Sequence, residues 1–242
     1  MNHIPPVTKN LLIINVLFFL ASVALPGHGI DLDGMMGLHY FLADDFHPYQ
    51  FFSYMFMHSN LEHIFFNMFA LWMFGTVVEQ TLGQKRFLTL FFVCGIGAGL
   101  MQELVQYIYY SQYEIIDHFR DIQTGQLHIG KYFIIDGKAL DLNLLSTVGA
   151  SGAVYGILLS FGMLYPNNKM FIIPIPVPIK AKYLIAGYVI IELLSTVTRA
   201  HDGVAHMAHL GGMLFAAILI LYWKNLDKKN NRWGGGYYGS SF

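Results

Sequence analysis

The sequence predicts an all-α protein that crosses a membrane several times, and three observations support this fold class. Of its 242 residues, 55% are hydrophobic and 12% are charged, which is about half the charged fraction of a soluble domain. The apolar residues are concentrated in long runs, and such runs are typical of membrane-spanning helices. The formal net charge of -1 and the single cysteine, Cys94, exclude a nucleic-acid-binding surface, a disulfide framework and a thiolate-rich metal site.

Six apolar runs approach the ~20 residues that a spanning helix needs, which predicts six membrane segments. These are residues 10–26, 61–80, 87–110, 151–165, 181–197 and 205–223. The predicted organisation is a cytoplasmic N-terminus (1–9), one six-helix domain (10–223) and a flexible cytoplasmic tail (224–242). Two of the loops, residues 27–60 and 111–149, are long, and we expect the second to be a soluble excursion.

The basic residues are distributed unevenly between the two sides of these segments. Ten of the 14 lysines and arginines fall on one side and four on the other, and the more basic side is cytoplasmic in membrane proteins. We therefore expect both termini in the cytoplasm of a multi-pass protein, with a bacterial inner (plasma) membrane as its location. The first segment also has the form of a cleavable signal peptide, an alternative that leaves the orientation of the rest unchanged.

The second segment carries polar residues that a purely structural span does not need. His63 and Asn67 are four residues apart, so they share one face of a helix. Both side chains can donate hydrogen bonds to a developing negative charge. A hydrogen-bonded pair that helps the helices to pack explains them equally well.

The fourth segment is too short to cross a bilayer completely. Its fifteen residues make a helix of ~22 Å, against a hydrocarbon core of roughly 30 Å. Ser151 would then lie at a helix N-terminus inside the membrane, where free N–H groups and a partial positive charge suit an oxyanion. Gly152-x-x-x-Gly156 is also a small-residue packing motif, and taken alone this segment favours packing over chemistry.

The sixth segment favours a chemical role for Ser151 over a role in packing alone. His209 lies about one turn below its outer end, and Gly212 and Ala216 follow on the same face. Small residues there would let this helix approach the glycines of segment four and bring His209 within reach of Ser151. A serine and a histidine at similar depth are candidates for a nucleophile and its base.

Three short motifs, in this order on segments two, four and six, resemble those of the rhomboid family of intramembrane serine proteases. They are His58-Ser-Asn-Leu-Glu-His63-Ile-Phe-Phe-Asn67, Gly149-Ala-Ser151-Gly152 and Ala208-His209-Leu-Gly-Gly212. The resemblance implies a six-transmembrane-helix rhomboid-like bundle that needs no cofactor and no metal.

The resemblance also implies roles for individual residues. Ser151 corresponds to the nucleophile and His209 to its general base, in a dyad without a carboxylate. His63 and Asn67, together with the backbone N–H of Ser151, correspond to the oxyanion-binding groups. Tyr155 corresponds to an aromatic residue that stacks on the catalytic imidazole.

Further residues correspond to supporting positions of the family: His58, Gly149, Gly152 and Gly212. Glu79 and Gly75 correspond to a structural pair at the cytoplasmic end of the second helix. Many members carry a Trp-Arg pair in the first loop, whereas this sequence has Tyr49-Gln50 near that place.

The implied function is hydrolysis of peptide bonds in or next to transmembrane segments, through an acyl-enzyme, at a site open to the outer side. The expected partners are transmembrane protein substrates, which would enter beside segment five and the loop of residues 198–205, and the lipid bilayer. One alternative is a metal site made of four imidazoles, from His58, His63, His206 and His209. Others are an inactive relative that binds membrane clients, and a transporter, for which the sequence lacks an inverted repeat.

Overall fold

The computed structural model describes residues 3–121, 124–135, 137–172, 175–198 and 205–230, and most of these are helical. The α-helices are α1 Pro6–Ala24, α2 Leu32–Met36, α3 Gln50–Ser53, α4 Leu61–Ala70, α5 Thr76–Leu82, α6 Gln84–Tyr110, α7 Ser151–Leu164, α8 Ala181–Thr198 and α9 His206–Lys229. A π-helical turn, Leu71–Gly75, joins α4 to α5. Short 3-10 turns occur at Leu25–His28, Tyr54–Phe56 and Leu142–Leu144.

Within the described ranges, four helices are long and apolar enough to cross a membrane. They are Pro6–His28, Leu61–Leu82, Gln84–Tyr110 and His206–Lys229, and they correspond to predicted segments one, two, three and six. Predicted segment four is the shorter apolar helix α7, and segment five is the 18-residue helix α8. The chain is therefore an integral membrane protein built mainly of helices.

The predicted all-α fold omits three small antiparallel sheets in the loops. Their strands are β1 Leu38–His39, β2 Ile115–Arg120, β3 Leu127–Ile135, β4 Lys138–Asp141, β5 Ser146–Thr147, β6 Lys169–Ile172 and β7 Ile175–Lys180, paired in the orders β1-β5, β2-β3-β4 and β6-β7. Except for the nine-residue β3, these strands have two to six residues, and in β2 and β3 apolar and polar side chains are mixed. A search for long apolar runs does not detect such segments.

The centre of the bundle is a close contact between α6, α7 and α9. A Cβ added at Gly212 of α9 would collide with the carbonyl of Gly152 in α7, and one at Gly152 would collide with Ala98 of α6. A Cβ at Gly156 would lie 2.6 Å from the Sγ of Cys94 and 3.0 Å from the Gly212 carbonyl oxygen. The absence of side chains at these glycines lets the backbones touch, and this brings the first turn of α9 beside the start of α7.

Helix α1 is held by a carboxylate from α5. The Glu79 side chain accepts hydrogen bonds from Val7 N (3.0 Å), Thr8 N (2.7 Å) and Thr8 Oγ1 (2.7 Å), which satisfies N–H groups of the first helical turn. A Cβ at Gly75 would lie 3.5 Å from Thr8 Cγ2. The helix begins at Pro6, inside the predicted N-terminal stretch 1–9, because its cap comes from a distant part of the chain.

The first loop is organised around Gln50, whose side chain is fully buried. Its Oε1 accepts from His39 N (3.3 Å) and His47 N (3.1 Å), and its Nε2 donates to the carbonyls of Met35 (3.3 Å) and Asp45 (2.9 Å). The loop of residues 111–149, which is the third loop between the predicted segments, docks on this first loop. Tyr40, Ala43, Phe133 and Leu142 from the two loops form a small buried cluster of their own.

Two predictions about the chain ends and loops need comment. Residues 224–229, predicted as the start of the flexible tail, are helical, because α9 continues to Lys229. The rest of the predicted tail, apart from residue 230, lies outside the described residues, as do residues 199–204 of the loop through which substrates were expected to enter.

Candidate active site

Ser151 is the first residue of α7. The N–H groups of a first helical turn have no acceptor within the helix, so the backbone here presents donors beside the Ser151 side chain. Gly149 has a φ of +129°, a conformation that residues with side chains rarely adopt. A Cβ at Gly149 would lie 2.8 Å from His63 Nε2 and 3.6 Å from Ser151 Oγ. His63 and Ser151 therefore border the same small space.

Ser151 and His209 are in hydrogen-bonding contact. His209 Nε2 lies 2.9 Å from Ser151 Oγ, and the imidazole is buried, with 6% of the residue exposed. Tyr155, one turn after Ser151, stacks on the imidazole with ring centroids 4.1 Å apart and an interplanar angle of 8°. The predicted nucleophile, base and stacking residue are thus placed together by α7 and α9.

A carboxylate lies on the other side of His209, contrary to the expectation of a site without one. Glu192 Oε1 is 3.1 Å from His209 Nδ1, and Glu192 Oε2 is 2.6 Å from His206 Nδ1. Glu192 belongs to α8 and is buried. The sequence contained the signal, since an acidic residue within the apolar run 181–197 is a functional candidate. The three motifs do not predict this role, because Glu192 belongs to none of them.

The predicted oxyanion residues share one face of α4. His63 Nδ1 lies 3.2 Å from Ser59 Oγ, and the His63 backbone N–H donates to the Asn60 side chain (2.8 Å), which caps the helix. Asn67 is buried and its Nδ2 donates to the His63 carbonyl (2.9 Å). One N–H of the Asn67 amide is therefore engaged within the helix, and the second is available to another acceptor.

His58 lies behind His63, with ring centroids 5.1 Å apart. It is 1% exposed, and neither ring nitrogen has a hydrogen-bond partner of normal geometry among the described residues. The pKa of His58 is lowered to about 4, mainly by burial and secondly by the neighbouring His63, while the Phe56 backbone acts in the opposite direction. His58 is therefore a neutral ring at physiological pH.

Within the described part of the chain, one group of side chains is arranged closely enough to share a metal ion. It consists of Glu192, His206 and His209, whose ligand atoms lie within 4.8 Å of one another. The four-imidazole site considered from the sequence is not assembled, because His58 and His63 are not members of this group.

Comparison with known proteins gives one consistent family. The profile of the Rhomboid domain matches residues 45–225 of the chain. The chain is similar to the Rhomboid protease AarA of Providencia stuartii, with 29% identity over 170 residues. It is also similar to RHOMBOID-like protein 12, mitochondrial, of Arabidopsis thaliana (26% over 176 residues) and to the Presenilin-associated rhomboid-like protein, mitochondrial, of Homo sapiens (25% over 186 residues).

These three alignments cover 69%, 72% and 74% of this chain, but 53%, 45% and 40% of the respective relatives. The matched chain thus spans about half the length of the relatives, or less. The similarity includes the loops and helices that carry Ser151, Glu192 and His209, since all three lie within the matched domain.

Proposed function

Because the chain belongs to the rhomboid family, we propose that it is an intramembrane serine endopeptidase that cleaves other membrane proteins in or next to their transmembrane segments. The observation that carries the proposal is the 2.9 Å contact between Ser151 Oγ and His209 Nε2 at the start of a buried helix. A relative with 29% identity is named a protease, which supports the same activity.

The reaction begins when Ser151 Oγ attacks the carbonyl carbon of the scissile peptide bond. The hydroxyl proton passes to His209 Nε2 as the Oγ–C bond forms, and His209 then gives this proton to the amine nitrogen as the C–N bond breaks. An acyl-enzyme remains. A water molecule hydrolyses it by the same proton transfers in reverse, and Ser151 regains its hydroxyl hydrogen.

The negative charge on the carbonyl oxygen would be stabilised by donors that already surround Ser151. If Ser59 donates to Nδ1 of His63, the proton of the neutral ring is on Nε2, which borders the space beside Gly149 and Ser151. The first-turn N–H groups of α7 and the second N–H of Asn67 complete the candidate set. Donors fixed before the substrate arrives cost no reorganisation during the reaction.

The length of α7 fits a site below the membrane surface. Its 14 residues span ~21 Å, less than the roughly 30 Å of a hydrocarbon core. If Leu164 lies near one interface, Ser151 lies inside the membrane and must be covered by protein or water. The proposed bundle has six crossings in all, made by α1, the joined helices α4 and α5, and each of α6 to α9.

The proposed orientation has both termini in the cytoplasm and the site open to the outer side, as the distribution of basic residues favours. A bacterial inner membrane is the location proposed from the sequence. The relatives come from a bacterium and from mitochondria, which are both compatible with an integral membrane enzyme of this family.

Covalent labelling of the purified protein with a fluorophosphonate probe tests the proposal, because this probe reacts with activated serines. We expect wild-type protein to be labelled, Ser151→Ala to be unlabelled and His209→Ala to be labelled at least ~100-fold more slowly. Ser160→Ala is the matched control, since Ser160 lies in the same helix and bonds only to the Gly156 carbonyl among the described contacts.

Labelling that survives Ser151→Ala would contradict the assignment of the nucleophile. A folded wild-type protein that is never labelled would contradict the proposed activity and favour a role in binding membrane clients.

A further inference from the structure

We propose that Glu192 is a positioning residue for His209, so that the serine protease site proposed above works through three side chains. The proposal rests on the proposed function and adds a carboxylate to it. It starts from two contacts: Glu192 Oε1 to His209 Nδ1 at 3.1 Å, and His209 Nε2 to Ser151 Oγ at 2.9 Å. The three groups form one chain of hydrogen bonds from α8 through α9 to α7.

The order of donors and acceptors in this chain is determined by chemistry. An ionised carboxylate has two acceptor oxygens and no hydrogen to donate, so the nitrogen that faces it must carry the proton. Glu192 therefore keeps the proton of neutral His209 on Nδ1, and Nε2 is left free to accept the hydroxyl proton of Ser151. Without that partner, both tautomers are available to the ring, and only one of them can act as the base.

The contact of Glu192 Oε2 with His206 keeps Oε1 beside His209. Glu192 Oε2 is 2.6 Å from His206 Nδ1, and His206 and His209 are three residues apart near the start of α9. The carboxylate thus bridges two histidines of one helical turn, and it can rotate away from His209 only by breaking its contact with His206. This geometry orients the imidazole ring, on whose face Tyr155 stacks.

Helix packing alone does not explain why a glutamate lies at this position of α8. Glu192 is 4% exposed in a largely apolar helix, where an ionisable group is costly and an apolar side chain would pack without that cost. The other polar groups facing His209 are Ser151, Tyr155, His206 and, at longer range, His63. Among the described residues, Glu192 is the acidic side chain in direct contact with His209.

During the attack on the substrate, His209 takes up a proton at Nε2 and becomes an imidazolium. Glu192 stays ionised throughout and compensates this positive charge, and no proton passes to the carboxylate. Glu192 therefore stabilises the transition state, in which the positive charge on His209 develops. A group that only helped α8 and α9 to pack would not have this effect.

The test compares Glu192→Gln, Glu192→Leu and Glu192→Asp with wild type, using the second-order rate of fluorophosphonate labelling between pH 5 and 9. Gln keeps the shape of the side chain but has a single acceptor oxygen, Leu has none, and Asp keeps the charge. Glu103→Gln is the matched control, because Glu103 is a buried acid of α6 that accepts from Phe41 N (2.9 Å) and does not contact His209. Thermal unfolding of each variant establishes that it is folded.

We expect Glu192→Gln and Glu192→Leu to lower the labelling rate by about 100-fold or more, and Glu192→Asp to lower it less. As the pH is lowered, the labelling rate of Glu192→Gln and Glu192→Leu should begin to fall at a lower pH than that of wild type, because the protonated His209 imidazole is less stable without the carboxylate. Glu103→Gln should label like wild type.

Three results would overturn the proposal. One is a Glu192→Gln variant with the wild-type rate and pH profile. The second is a slower variant whose pH profile is unchanged and which Asp does not rescue, since a structural role would produce this. The third is loss of wild-type labelling with a chelator, which would make Glu192 a metal ligand. Wild-type protein that is not labelled at Ser151 would refute the proposed function itself, whereas the first two results refute only the role of Glu192.

Discussion

At the scale of single residues, polar side chains in this bundle fall into two groups. Asn15, Asn67 and Ser160 donate to the carbonyl four residues earlier in their own helix, at 2.7, 2.9 and 2.8 Å, which satisfies a polar group without a partner helix. Glu192 and His209, in contrast, bond across helices. Contacts of the second kind depend on the assembled bundle, and the one between Glu192 and His209 continues to Ser151.

His58 provides a prediction about pH and stability. Its pKa is lowered to about 4 in the folded protein, first by burial and then by His63, whereas an exposed histidine titrates near 6.5. Below about pH 6.5 the unfolded chain takes up a proton that the folded chain does not, so stability falls as the pH drops toward 4. The full difference amounts to about 3 kcal/mol for this one group.

The measurement is unfolding of the protein in mixed detergent micelles at several pH values between 7.5 and 4.5. We expect His58→Phe to lose stability less steeply with acidification than wild type. It should be no less stable at neutral pH, because neither ring nitrogen has a hydrogen-bond partner of normal geometry among the described residues. His28→Phe is the control, since His28 is exposed. Identical slopes for wild type and His58→Phe would show that His58 does not contribute to the acid sensitivity.

At the scale of elements, the contact between α7 and α9 decides whether the site exists. The short distance between Ser151 and His209 requires the two helix backbones to touch at Gly152 and Gly212. The sequence predicts this contact from the spacing of small residues. The structure adds that α6 closes the other side of α7, through Ala98 and Cys94.

We therefore predict that Gly212→Ala separates α7 from α9 and impairs the site. Its Cβ would collide with backbone atoms of Gly152, which cannot rotate away as a side chain can. We expect destabilisation of about 1–3 kcal/mol and a fall in fluorophosphonate labelling of about 100-fold. Both are measured on the purified variant, by thermal unfolding and by labelling rate.

Gly187→Ala is the matched control, because a Cβ at Gly187 of α8 meets nothing within 4 Å. It should be as stable as wild type or slightly more so, since alanine favours a helix. A Gly212→Ala variant that labels as fast as Gly187→Ala would mean that the helix contact does not control the approach of His209 to Ser151.

A comparison of the helix ends with the apolar runs shows how well the sequence pattern predicts the helices. The six apolar runs correspond to α1, the joined helices α4 and α5, and each of α6 to α9, with most ends agreeing within two residues and the largest difference being six. The largest differences occur where a distant group acts on a helix end. Helix α1 begins early because Glu79 caps it, and α9 extends to Lys229, with Asp227 of its last turn paired to Arg86.

At the scale of the whole molecule, polar contacts join helices that are far apart in the sequence. Arg86 at the start of α6 forms a two-pronged ion pair with Asp227 of α9, at 2.6 and 2.7 Å. Glu79 performs a similar task for α1. Apolar packing alone holds helices weakly in lipid, because lipid tails are as apolar as the helix surfaces. These contacts therefore carry a large share of the specificity of assembly.

We predict that Glu79→Gln loosens α1 while leaving the chemistry of the site intact. One carboxylate receives three hydrogen bonds here, and an amide has a single acceptor oxygen. We expect a loss of stability of about 1–3 kcal/mol, measured by thermal unfolding, and faster proteolysis near residue 30. The labelling rate of the folded fraction should change little, because Glu79 does not touch Ser151, His209 or Glu192.

Glu62→Gln is the control, because Glu62 is an exposed acid in the first turn of the neighbouring helix α4. Equal stability of the two variants would show that the cap on α1 adds nothing to the fold.

The family, the membrane class and the positions of the main helices follow from the sequence alone, because they depend on local properties. Apolar runs of sufficient length predict spans, and each of the motifs around His63, Ser151 and His209 consists of residues that lie close together along the chain. The resemblance to the rhomboid family is confirmed by the profile match over residues 45–225. The roles of the site residues stay predictions until labelling tests them.

Apart from the expected approach of His209 to Ser151, only the tertiary structure decided which side chains meet across helices. Glu192 contacts His209 from a different helix, Glu79 caps a helix 71 residues earlier, and the strands of the third loop fold back on the first loop. Such pairings depend on how each helix is rotated about its axis and how closely the backbones approach. Sequence periodicity constrains these quantities only loosely. The contact between Glu192 and His209 therefore follows from the assembled bundle and not from the sequence pattern.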